Sequence, residues 1–185
     1  MRVLFYRYGS ICEPDIIMTF QNAGFTVDEY TAEMKKKDMK PHEVVETLSK
    51  YMMDHPCDFV FSINFFPYVS EVCNVFHLRY LCWIVDSPVM ELYTSSIGNE
   101  WNRVFLFDRA LYDEISPLNP GHIFHLPLAA AVGPKDALFK KTAESEFKRF
   151  SHDIAFVGSL YTEKCPYDKL KPNAPESLKG YLDGI

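Results

Sequence analysis

Short uninterrupted apolar runs punctuate the chain: Val3-Leu4-Phe5-Tyr6, Phe59-Val60-Phe61-Ser62-Ile63, Tyr80-Leu81-Cys82-Trp83-Ile84-Val85, Val104-Phe105-Leu106-Phe107 and Ile123-Phe124-His125-Leu126. Residues 25–30 read as one more strand. Runs that do not alternate with polar residues predict strands buried on both faces of a sheet. Between them the apolar period changes to that of a helix. Pro14 opens a first helix with Ile16, Ile17, Phe20 and Ala23 on one face, stopped by Gly24. Pro41 opens a second, carrying Val44, Val45, Leu48 and Met52 and ending before Pro56. Val69, Val72, Cys73 and Phe76 give a third. Strand and helix in regular succession predict an open, doubly wound α/β domain with a parallel, Rossmann-like sheet.

That domain is expected to span residues 1–133. Residues 134–152 read as a polar, Lys-rich linker helix with Leu138, Phe139, Phe147 and Phe150 on one side. A new strand, Ile154-Ala155-Phe156-Val157, then runs into Gly158, so residues 153–185 read as the first piece of a second α/β domain. On this reading the chain is part of a longer protein.

The 185 residues are 48% hydrophobic and 24% charged, which places the chain among globular proteins. A net charge of −6 argues against nucleic-acid or anionic-membrane partners, whose phosphates reward Lys and Arg. The basic runs Lys35-Lys36-Lys37 and Lys140-Lys141 read as solvated helix faces. Cys12, Cys57, Cys73, Cys82 and Cys165 are scattered and odd in number, with no C-x-x-C, so neither a zinc knuckle nor a redox pair is indicated. Cys82 reads as a small core residue. With no signal peptide, no bilayer-length apolar run and no N-x-[ST] site, the expectation is a reduced, cytoplasmic protein.

Ligands of open parallel sheets bind outside the carboxyl ends of the strands. Here those ends carry Arg7-Tyr8-Gly9-Ser10, with Glu13 and Asp15 just beyond, then Asn64, then Asp86-Ser87-Pro88, then Asp108-Arg109. Three strands ending in Asn or Asp would gather hydrogen-bonding groups along one rim, as a polyol ligand requires. For Asn64 and Asp108 the alternative is a cap on the turn or helix that follows. Asp86 is better placed for function, because Pro88 forces an extended turn that leaves its carboxylate free. No G-x-G-x-x-G follows the first strand and no Walker loop occurs, which disfavours a dinucleotide oxidoreductase or a P-loop enzyme. His122 and His125, three apart on a strand, point to opposite faces and do not make a metal pair; His125 reads as a buried or rim histidine. The segment Gly158-Ser159-Leu160-Tyr161-Thr162-Glu163-Lys164 pairs a glycine turn with a lysine, a combination that can hold a phosphate.

The segments VLFYRYGSICEPDI, FSINFFPYVSEVC, CWIVDSPVMELYTSSI, NRVFLFDRALYDE, IFHLPLAAAV and DIAFVGSLYTEKCPYD resemble the N-terminal domain of the CgeB-like (spore maturation) glycosyltransferases. The resemblance runs over almost the whole chain and implies a GT-B architecture, two Rossmann-like domains facing a cleft. The N-terminal domain would hold the acceptor and the C-terminal domain of the same protein the nucleotide-sugar donor. Gly158 then matches the glycine that opens the donor-side domain in related transferases, and Lys164 the lysine at the donor diphosphate. Ser159 departs from the arginine frequent beside that glycine, and Cys165 from a glycine after the lysine. The implied reaction moves a sugar to an acceptor hydroxyl without metal or other cofactor, with the leaving diphosphate stabilised electrostatically. An inverting transfer needs a base at the hydroxyl, for which Asp86 stands first and Glu13 second. Asn64, Ser87, Asp108, Arg109, Gly9 and Ser10 would bind substrate. The alternatives are a non-catalytic sugar- or nucleotide-binding module and an assembly protein of the spore or envelope.

Overall fold

The structure is a computed structural model that describes residues 1–36, 39–156, 158 and 171–182. Six strands, β1 (Arg2–Tyr6), β2 (Thr26–Tyr30), β3 (Phe59–Ile63), β4 (Arg79–Ile84), β5 (Asn102–Leu106) and β6 (Ile123–His125), form one sheet in the order β2-β1-β3-β4-β5-β6. Every pairing is parallel, with Val3 opposite both Val27 and Phe59, and Cys82 opposite both Ser62 and Val104. The helices are α1 (Glu13–Asn22), α2 (Ala32–Lys35), α3 (Pro41–Asp54), α4 (Pro67–Val75) and α5 (Arg109–Ile115). The first unit of the chain, Met1–Val132, is therefore a Rossmann-like α/β domain.

Strand parity divides the core in two. Leu4, Tyr6, Val60, Tyr80, Cys82, Ile84, Val104 and Leu106 pack with Val44 and Leu48 of α3, Val69 and Val72 of α4, and Leu111 and Ile115 of α5. On the opposite face, Val3, Phe5, Phe59, Phe61 and Ile63 pack with Ile17 of α1, and Phe20 and Phe25 close that cluster edge-to-face. Among the described residues, four helices thus serve one face and α1 alone the other. Toward β4 to β6 that second face thins out: Trp83 and Phe105 are only half-buried and Phe124 is exposed. Phe76, expected on the apolar face of α4, lies past the end of that helix and is exposed.

A buried polar knot ties α4 to β5. Asn102 accepts from Ser70 Oγ at 2.7 Å and donates to the Ser96 and Ile97 carbonyls, and Asn119 donates to the Ile97 and Asn99 carbonyls. Satisfied on each side, these amides stand inside the core without the cost of an unpaired polar group. Among the described residues no helix is long and apolar enough to cross a membrane.

The second unit, Gly133–Ile185, departs from the expected pattern. The single helix over 134–152 is two helices, α6 (Val132–Lys141) and α7 (Glu144–Arg149), interrupted at Thr142 and Ala143. The break lets Phe139 and Phe147 stack with ring centroids 5.4 Å apart. The strand expected over 154–157 is not formed at its described residues: 154–156 are irregular, with Ile154 and Phe156 exposed. A strand needs a neighbour for its backbone N–H and C=O groups, and none of the described residues provides one there. Gly158 lies in a bend, while Ser159 and Lys164 fall outside the described residues. Residues Glu176–Leu182 form a last short helix, α8.

Candidate functional site

The strand order reverses direction between β1 and β3, the place where doubly wound sheets open a crevice at their carboxyl ends. The loop leaving β1 is built around one side chain. Glu13, fully buried at the start of α1, accepts at Oε1 from the backbone N–H groups of Tyr8, Gly9 and Ser10 at 2.9, 2.9 and 3.1 Å. Its other oxygen receives Arg7 Nε at 2.9 Å, and Arg7 Nη1 reaches Glu29 on β2. The loop turns through Gly9 at φ +99°, a conformation open to glycine and strained for other residues. Glu13 is thereby removed as a candidate base, because its oxygens are engaged and sealed from any ligand. The N–H groups of Gly9 and Ser10 are likewise spent on Glu13 and cannot hold a substrate.

Across the crevice, Asn64 follows β3 at φ +58° and acts as a keystone. Its Oδ1 accepts from Val85 N at 3.0 Å, and its Nδ2 donates to the Tyr8 hydroxyl at 3.1 Å and to Asp86 Oδ2 at 2.6 Å. One amide therefore joins the ends of β1, β3 and β4. Burial pushes the Tyr8 phenol above its ordinary value, so it stays neutral near pH 7, and while accepting from Asn64 it keeps a proton to donate. Asn64 is better described as a positioning residue for Asp86 than as a ligand-binding group.

Asp86 is exposed, and among the described hydrogen bonds its carboxylate takes part in this one alone. It caps nothing: the 3₁₀ turn over Met90–Tyr93 begins without a side-chain cap. Asp86 also borders two cavities. One, of about 450 Å³, is lined by Ser10, Cys12, Asp15, Ile16, Trp83 and Leu128 among others. The second, of about 270 Å³, has Tyr8, Phe66, Pro88 and Glu91 in its walls. Trp83 is tied in place by a 3.3 Å hydrogen bond from Nε1 to the Leu126 carbonyl.

The remaining expected residues are not brought here. Asp108 is the N-cap of α5, accepting from the N–H groups of Ala110 and Leu111 at 2.8 and 3.2 Å. Arg109 pairs with Asp113 one turn on and lies over the Tyr112 ring, exposed on the helix surface. Ser87 is exposed before a cis Pro88 and lines neither cavity. His125 is exposed, its Nε2 beside the Phe107 carbonyl. No group of three or more metal-ligating side chains exists among the described residues. Of the cavity residues, Tyr8 and Asp15 stood on the rim in the sequence without a role, while Cys12 and Trp83 were not read as site residues. The parity of β4 marks Trp83, since it alternates with the buried Cys82 and Ile84.

Cys12 lines the larger of these cavities. Burial pushes the Cys57 thiol up to about 11 and drives those of Cys73 and Cys82 up as well, leaving them scarcely any thiolate. Among these four, iodoacetamide in mildly alkaline buffer is expected to label Cys12 first, as read by peptide mass spectrometry. Earlier labelling of Cys57 or Cys73 would show that the cavity wall is closed to solutes.

No family model and no curated protein matches the chain. Among solved structures it is similar to the solution NMR structure of a de novo designed Rossmann 2x3 fold protein. The two share 9% sequence identity over 84% of this chain and 95% of the other, with a TM-score of 0.38.

Proposed function

We propose that the chain is the acceptor-side part of a GT-B type glycosyltransferase, with Asp86 as the base of an inverting sugar transfer. The observation that carries this reading is Asp86 itself, a carboxylate at the end of β4 oriented by Asn64 and otherwise open to the crevice. The resemblance of its flanking segment CWIVDSP to the CgeB-like transferases supports the same reaction class. In the transfer, Asp86 takes the proton of the acceptor hydroxyl as that oxygen bonds to the anomeric carbon. The glycosyl–phosphate bond breaks, and the nucleoside diphosphate leaves with its electron pair. Tyr8, neutral and able to donate, would steady a second hydroxyl of the acceptor.

On this reading a second domain would hold the donor diphosphate, with Gly158, Ser159 and Lys164 at its beginning in the sequence. The test compares the 185-residue chain alone with any longer form that carries such a second domain, each given a panel of nucleotide sugars. Acceptor-dependent release of nucleoside diphosphate is expected from the longer form and background release from the 185 residues. Transfer well above background by the 185 residues alone would overturn the two-domain reading. No release by either, with sugar binding retained, would favour a non-catalytic binding module.

A further inference from the structure

The larger cavity beside Asp86 has a consistent chemistry. Ile16, Trp83, Val85 and Leu128 give it apolar walls, and its charged lining residues are two carboxylates, Asp15 and Asp86. Among the described residues, no Lys, Arg or His lines it. The nearest cation along the β1 loop, Arg7, is bound to Glu13 and Glu29. An anionic ligand entering here would lose its hydration and meet only negative charge, whereas a cation would gain a carboxylate partner and an indole ring.

We infer that this cavity receives a flat apolar ring bearing an ammonium group, with the ring among Trp83, Val85 and Leu128 and the ammonium paired with Asp15. The inference rests on the reading of this crevice as the acceptor site and names the acceptor class: an amine-bearing ring with a hydroxyl to present to Asp86, not a phosphorylated or carboxylated molecule. Asp15 suits the pairing because the described hydrogen bonds engage its backbone carbonyl and leave its carboxylate free. Asp86 is left for the hydroxyl. The division of labour gives each carboxylate one partner.

The test is a titration of the whole chain with three small probes of one ring and three charges: 2-phenylethylamine, 2-phenylethanol and 3-phenylpropionate. The readout is the indole N–H signal of Trp83 in proton–nitrogen NMR spectra, assigned by Trp83→Phe. The Trp101 signal serves as reference, since that ring stacks on His77 away from the cavity. At low salt the amine should bind about tenfold more tightly than the alcohol, and the propionate more weakly than either. Asp15→Asn should erase the preference for the amine while leaving the alcohol within about twofold, and Asp15→Glu, which keeps the charge, should preserve it. Propionate binding as tight as amine binding, an amine preference untouched by Asp15→Asn, or no movement of the Trp83 signal with any probe would overturn the inference. Sugar transfer is not read in this titration. Amine preference without transfer would refute the transfer reading alone, and transfer to a neutral acceptor without amine preference would refute this inference alone.

Discussion

Replacing Glu13 with alanine should lower the stability of the Met1–Val132 unit by about 3–5 kcal/mol, the cost typical of removing one partner from a buried ion pair. The size follows from what is orphaned. Three backbone N–H groups of the β1 loop lose their acceptor together, and Arg7 is left one-fifth exposed with only Glu29 as counterion. Against a typical domain stability of about 5–15 kcal/mol this is a large fraction. Trp83 and Trp101 both lie in this unit, so urea unfolding followed by tryptophan fluorescence reports on it directly. With a slope of about 2 kcal/mol/M the midpoint should fall by roughly 2 M. Glu13→Gln keeps an oxygen for the three N–H groups and loses only the charge, so its loss should be smaller. A cost below about 1 kcal/mol for Glu13→Ala would show that the loop does not depend on this carboxylate. Lost turnover at unchanged midpoint in Glu13→Gln would restore it as a catalytic group.

The contrast between Glu13 and Asp86 also shows what a sequence can reveal here. Both are acids beside the carboxyl end of a strand, and both read as candidate bases. The strands themselves were legible, because runs such as Phe59-Val60-Phe61-Ser62-Ile63 admit no other two-face-buried assignment. What separates the two acids is a glycine turn that folds three N–H groups onto Glu13, and nothing in residue spacing states that. Asn64 was ambiguous for a related reason: a residue type suited to capping became a cross-strand tether through its left-handed backbone. Asp108, read either way, proved a plain helix cap. Trp83 was hidden by a different effect. A Trp within a run of apolar residues reads as core, unless one notes that right-handed connections put, among the described helices, only α1 on its face. At 154–156 the apolar composition signals a strand, but among the described residues no neighbouring strand pairs with it.

If Asp86 is the proposed base, Asp86→Asn should lower sugar-transfer turnover by about 10²–10⁴-fold, the usual contribution of a positioned base. The substitution isolates proton transfer with little else disturbed. The new amide has the shape of the carboxylate it replaces, and its oxygen can still accept from Asn64 Nδ2, so the link between β3 and β4 persists. The exposure of this position leaves no buried charge to lose, and the melting temperature should stay within about 2 °C of the parent. On the proposed reading, in which the cavity walls hold the acceptor, KM for the acceptor should change far less than kcat. Asn64→Ala separates orientation from chemistry. It keeps the carboxylate but removes the amide that holds Asp86, Tyr8 and Val85 together, and it leaves alanine at a positive φ. That variant should lose both stability, by about 1–3 kcal/mol, and part of its turnover. Unchanged turnover in Asp86→Asn with a lowered melting temperature would make Asp86 a structural residue and move the search for the base to the second cavity, where Glu91 is the other carboxylate.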